Sequence, residues 1–257
     1  MITNDRPPIS LHRAGALFGL AMTLSSPLTA EELDCSPYRV GEIVTSDLQV
    51  STFHHHGIIA PPRWITLHWP RNGRIFGPKV VDGKATETDP DMGFQILIDT
   101  GEPKRLAPVH PDQLNVAIRA VDYYPVYSML GLYAGMPMGK RELLTNQNGT
   151  TYYSSEGYEF TGETLLQGWR GVEYSDPRPT THDEFYVHTI TPKALSPENV
   201  DAVLACSSAE KSLNPSCKII IKEEPLFATT GFDRDRLGDL DLIERRTRDF
   251  TKCLMEE

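Results

Sequence analysis

A histidine triplet, an acidic run and four cysteines are the residues here whose types and spacing could do chemistry. His54-His55-His56 lies in a β-rich stretch, where alternation would put His54 and His56 on one face, a spacing able to chelate zinc or copper. Acidic residues and cysteines are not close by in sequence, so a third ligand would have to come from His68 or His110. The plainer reading of the triplet is a polar turn before Gly57. Asp233-Arg-Asp-Arg-Leu-Gly-Asp-Leu-Asp-Leu-Ile-Glu244 matches a calcium loop at positions 1, 3, 6, 9 and 12. Its fifth position, however, is Leu237, and Arg234 and Arg236 flank the carboxylates. The same residues suit the start of an amphipathic helix, with Asp233 or Asp235 as cap and Asp239 favoured by the positive end of the helix dipole.

Reactive motifs are otherwise missing. The nucleophile elbow G-x-S-x-G, the P-loop, G-x-G-x-x-G and H-E-x-x-H do not occur. Glu31-Glu32 and Glu223-Glu224 are adjacent pairs whose side chains diverge, so neither can flank a glycosidic bond. Asn148-Gly-Thr150 fits the glycosylation sequon and equally a tight turn. No cofactor is implied, and the reading is non-enzymatic.

The four cysteines Cys35, Cys206, Cys217 and Cys253 are even in number and lack C-x-x-C spacing, which favours disulfides over zinc. Cys206–Cys217 is the favoured pair, because the polar connector between them turns at Asn214-Pro215. Cys35–Cys253 follows by exclusion. The compartment is set by residues 1–30, which have the three parts of a secretory signal peptide. Arg6, His12 and Arg13 precede the apolar run Ala14 to Leu24, and Ser25 to Ala30 supply a cleavage region. The expectation is a periplasmic chain with no transmembrane segment after cleavage. The net charge of −10 becomes about −11 once that segment is gone. Such acidity argues against nucleic acid as partner and suits docking on a basic protein.

The elements that must position these residues are short. Arg63 to Trp69, Phe94 to Asp99, Thr150 to Ser154, Phe185 to Ile190 and Lys218 to Lys222 are expected to be strands. Helices are expected near 111–121, with Leu114, Ala117, Ile118 and Val121 on one face, and near 197–206, with Ser196 as N-cap. A third, near 236–254, places Leu237, Leu240, Ile243, Phe250 and Leu254 on one stripe, with Glu244, Arg245, Arg246, Arg248 and Asp249 facing outward. The fold class is α+β: a mainly antiparallel sheet with about three helices, spanning residues 31–257 as one domain, with a weak lobe boundary near 176–192. Seven of the ten tyrosines lie from Tyr123 to Tyr158. They either fill a small sheet or form a recognition surface, of which Tyr123, Tyr124, Tyr127 and Tyr133 would be the anchors.

The ending of the chain carries a resemblance. Cys217-Lys-Ile-Ile-Ile-Lys222, then Gly231-Phe-Asp-Arg-Asp-Arg-Leu237, then the helix Leu240 to Phe250, resembles the ending of periplasmic immunity proteins of type VI secretion lipase effectors. There a strand leads to a G-F-x-R-x-x-L corner and a closing amphipathic helix. The resemblance covers the C-terminal part alone. It implies a protein that neutralises a cognate secreted effector, a lipase, by occluding it. It assigns no contact residues. The other classes open at this point are an exported hydrolase with a dispersed site and a periplasmic ligand-binding protein.

Overall fold

In the computed structural model, residues 33–52, 63–82, 84–85, 91–105, 110–122, 143–145, 151–153, 157–165, 168–174, 184–192, 195–196, 199–208, 210 and 212–256 are described. The signal-peptide segment, the His54–His56 triplet, Tyr123, Tyr124, Tyr127, Tyr133 and residues 176–183 of the expected boundary lie outside them, and residues 184–189 of that boundary are strand.

A Ser36–Tyr38 turn leads into β1 (Ile43–Thr52), followed by β2 (Arg63–Pro70), β3 (Arg74–Phe76), β4 (Val80–Val81), β5 (Lys84–Ala85), β6 (Met92–Leu97) and β7 (Gln113–Asp122). Next come β8 (Leu143–Thr145), β9 (Thr151–Tyr153), β10 (Tyr158–Thr164), β11 (Trp169–Tyr174), β12 (Glu184–Thr189), β13 (Val200–Cys206), β14 (Ser216–Glu223) and β15 (Leu226–Asp233). A 3-10 turn, Arg234–Asp239, then feeds helix α1 (Leu240–Cys253). The main sheet runs antiparallel in the order β10-β11-β12-β13-β14-β15-β7, and β6 and β3 continue it beyond β7. The β1–β2 arm joins through a short parallel pairing at the end of β7.

One α-helix is described, not three. The expected helix near 111–121 is strand β7, whose burial alternates: Leu114, Val116, Ile118 and Ala120 are inward while Asn115, Ala117 and Arg119 are exposed. Leu114 and Ile118 satisfy both periods; Ala117, exposed here, breaks the helical one. The expected helix near 197–206 is strand β13. Asn199 and Val200 donate to the Ser196 carbonyl, and from Val200 the chain is extended. Val200 and Ala202 to Cys206 are all buried because both sheet faces are covered there, and a continuous apolar run does not separate a strand from a helix.

The third helix forms, with a 3-10 first turn. Leu240, Ile243, Phe250 and Cys253 are buried beneath it among β7, β14 and β15 side chains, and Leu48, Leu67 and Trp69 of the β1–β2 arm belong to the same core. The Phe250 ring meets Phe94 edge-on at 5.1 Å and Tyr38 at 6.1 Å. Two disulfides close the framework. Cys206–Cys217 bridges directly opposed positions of β13 and β14, and Cys35–Cys253 ties the first described residues to the last turn of α1. Arg39 donates to the carbonyls of Cys253 and Glu256, which covers helix-end acceptors that would otherwise lack partners.

Candidate functional site

Ionisable side chains converge between α1 and the β11–β14 part of the sheet, for reasons of register. Along β14 the odd positions Cys217, Ile219 and Ile221 face the helix, so Glu223 does as well. Along β12, Tyr186 faces the same core and His188 follows two residues on. β13 supplies a carboxylate by an irregularity: His188 pairs with Ala202 but Thr189 pairs with Val200, so Asp201 is the extra residue of a bulge. Strict alternation would send Asp201 and Ala202 to opposite faces; the bulge turns the Asp201 carboxylate toward the helix. From above, Glu244, Arg248 and Lys252 stand at four-residue intervals on one side of α1.

The groups pair closely. His188 Nδ1 is 2.6 Å from Asp201 Oδ1, and Arg248 lies 2.9 Å from Asp201 Oδ2, 2.9 Å from Glu223 Oε1 and 2.8 Å from Glu244 Oε1. Trp169 Nε1 donates to Glu244 Oε2 at 3.1 Å, and its ring lies 5.6 Å from that of His188. Gly168, at φ +88°, borders the imidazole: a Cβ there would meet His188 Nε2 at 2.6 Å, so this position needs glycine on both counts. The hydrogen bond to Asp201 raises the His188 pKa above its ordinary value against the opposing effect of burial. Burial likewise opposes the Arg248 charge, but Glu223, Glu244 and Asp201 outweigh it and hold that pKa above its usual range.

His188, Asp201 and Glu244 are the one group among the described residues whose ligand atoms gather closely enough for a metal ion. The donors are already engaged, though. Arg248 takes the second oxygen of Asp201 and one of Glu244, and a divalent cation there would sit beside a guanidinium. As it stands, the arrangement joins the helix to three strands by charge and to β11 by the Trp169 hydrogen bond.

Several sequence expectations change here. Glu244, Arg246, Arg248 and Asp249 are half-buried instead of forming a solvated outer face, Glu244 and Arg248 against the sheet; of that set, Arg245 is exposed. The calcium-loop residues do not surround a centre: Asp233 ends β15, Arg236 pairs with Asp239 at 2.9 Å and with Asp112 at 3.2 Å, and Glu244 turns to Trp169. Neither Asp233 nor Asp239 makes a side-chain capping bond. Of the possible third histidine ligands, His68 bonds Thr45 Oγ1 at 2.9 Å and His110 lies near Asp112.

Sequence reasoning missed two features. The Asp201 bulge has no sequence signal. Trp64, 54% exposed on β2, could have been found by alternation, since Leu67 and Trp69 of the same strand are buried. It stands among Gln49, Thr66 and Asp47, a large aromatic ringed by polar groups.

No protein-family model matches this chain, and no curated protein does. A solved structure, that of Smlt3025, an immunity protein of the Stenotrophomonas maltophilia type IV secretion system, is similar over 75% of this chain and 90% of its own. The identity is 13% and the TM-score 0.47. That protein belongs to a type IV system, whereas the C-terminal resemblance in sequence points to type VI.

Proposed function

We propose that this chain is a periplasmic, non-enzymatic immunity protein that binds a secreted effector, a lipase delivered by type VI secretion, and neutralises it by occlusion. The observation that carries this reading is the self-neutralised cluster under α1. Its histidine, carboxylates and arginine are spent on one another, which suits a rigid recognition scaffold better than a reactive centre. The ending of the chain supports it too: β14, β15, the Arg234–Asp239 turn and α1 follow one another as the resemblance requires. A binder of this kind needs an interface of at least about 1,200 Å² centred on aromatic anchors. Trp64 is proposed as one, with Tyr123, Tyr124, Tyr127 and Tyr133 as others. Export through residues 1–30, two oxidised disulfides and an acidic surface that steers toward a basic partner complete the reading.

Expression of the cognate effector in the periplasm, with and without this chain, tests the proposal. Survival with the chain present, together with a purified complex that associates more slowly at high salt, is the expected outcome. Equal killing in both strains, with no complex, would overturn it. The hydrolase reading would then turn on the His188–Asp201 pair.

A further inference from the structure

Three cationic side chains line one groove at the Ile43–Pro70 end of the β1–β2 arm. A groove of about 410 Å³ opens beside β3 and β4, walled by Val44, Pro78 and Val80 and flanked by Arg71, Arg74 and Lys79. Three cations gather there in a chain of net charge −10. Arg74 is half-buried, and its Nη2 donates to the Pro78 carbonyl at 2.7 Å. That bond uses one of five guanidinium donors and fixes the plane of the rest. Gly77, at φ +154°, keeps the space clear, because a Cβ there would press to 3.1 Å from Arg74 Nε. Arg71 is held more loosely: it pairs with Glu42 at 3.0 Å, and both side chains are 64% exposed. An exposed pair of this kind is weak and exchanges readily for another carboxylate.

We propose that this groove seats an acidic segment of the partner protein, whose carboxylates take Arg71 and Arg74 beside the positive charge of Lys79, while its apolar side chains lie on Val44, Pro78 and Val80. The proposal rests on the binding reading above and names the chemistry at one contact. Size and lining favour a peptide over a bare oxyanion. The volume lies in the range of pockets that hold several side chains, and apolar walls give phosphate nothing. The acidity of the whole chain does not prevent this, because at physiological salt the Debye length is about 8 Å and a seated ligand feels mainly the groove. One basic spot on an acidic surface also fixes the orientation of a docking partner, since a misplaced acidic segment meets like charge elsewhere.

The test uses the purified full-length chain, oxidised, and a fluorescent peptide alternating Glu with Leu, at physiological salt. Anisotropy should report saturable binding, weakened about tenfold or more by Arg71→Glu with Lys79→Glu and strengthened by Glu42→Gln, which frees Arg71. Each variant is to keep the parent's melting temperature, which exposed positions allow. A peptide alternating Gln with Leu should not bind, and inorganic phosphate should compete only at far higher concentration. Absence of binding, indifference to the charge reversals, or equal competition by phosphate would each overturn the proposal. Peptide binding that persists while effector neutralisation fails would sink the immunity reading and leave the groove's acidic-peptide chemistry standing.

Discussion

Arg246 and Arg248 lie two residues apart on α1 and leave the helix on different sides, and the two flanks they hold are built from different chemistry. Arg246 meets neutral acceptors: the carbonyls of Ile98 and Asp99 and the Tyr38 hydroxyl. Arg248 meets three carboxylates, those of Glu223, Asp201 and Glu244. The first flank is a hydrogen-bonded latch in which Arg246's own acceptors carry no charge, while the Tyr38 hydroxyl donates onward to Asp249 at 3.3 Å; burial raises the Tyr38 pKa, so its hydroxyl stays neutral near pH 7. The second is a charge clamp whose members depend on one another. Removing Arg246 leaves carbonyls that water can satisfy, whereas removing Arg248 leaves half-buried like charges facing each other. The same helix is therefore secured by one device that depends less on pH and salt and one that depends strongly on both.

The core residue beneath the helix should show the largest effect. Phe250 is 0% exposed between Tyr38, Phe94 and the sheet, so Phe250→Ala should lower the unfolding free energy by about 3–5 kcal/mol in a denaturant titration. Arg248→Met comes next, at about 2–4 kcal/mol, discounted from a fully buried pair because its partners keep some solvent contact. Adding Asp201→Asn should recover part of the loss, because it removes one of the stranded charges. Arg246→Met should cost about 1–2 kcal/mol, with no such rescue and little change between low and high salt. If the two arginine variants respond alike to salt, the contrast between latch and clamp fails.

The smallest expected effect is in pH. The His188 pKa is raised by Asp201, so its contribution to stability is complete below the unfolded value of about 6.5 and is lost as pH climbs through the higher native value. Stability should therefore decline modestly above pH 6.5, and His188→Gln should flatten that decline. Unfolding midpoints of the two proteins from pH 5.5 to 8.5 check this.

What the sequence made legible follows from how far each signal reaches. The α1 stripe was readable because Leu240, Ile243 and Phe250 repeat over several turns. The expected strands near 63–69, 94–99, 185–190 and 218–222 lie within or overlap β2, β6, β12 and β14. The segments β7 and β13 misled because Leu114 with Ile118, and the run Val200 to Ala205, fit a helix as well as a strand until their neighbours in the sheet are known. The clamp was invisible for a related reason. A charged helix side appears solvated in sequence, and only β12, β13 and β14 arriving beneath it turn Glu244 and Arg248 inward. A bulge that redirects Asp201 depends on pairing, which no local window of residues records. Tyr123, Tyr124, Tyr127 and Tyr133 lie outside the described residues and stay a proposal, whereas Tyr158 of the same stretch is buried in the sheet.

The central claim is that the convergence under α1 holds the scaffold together and does no chemistry. It is tested most directly by giving cells that express the cognate effector in the periplasm the His188→Gln, Asp201→Asn double variant. Circular dichroism at the growth temperature would confirm that the variant is folded. The account predicts protection equal to that of the parent chain. A folded variant that no longer protects, while still forming the complex, would contradict it, because His188 and Asp201 would then act on something beyond the helix they hold.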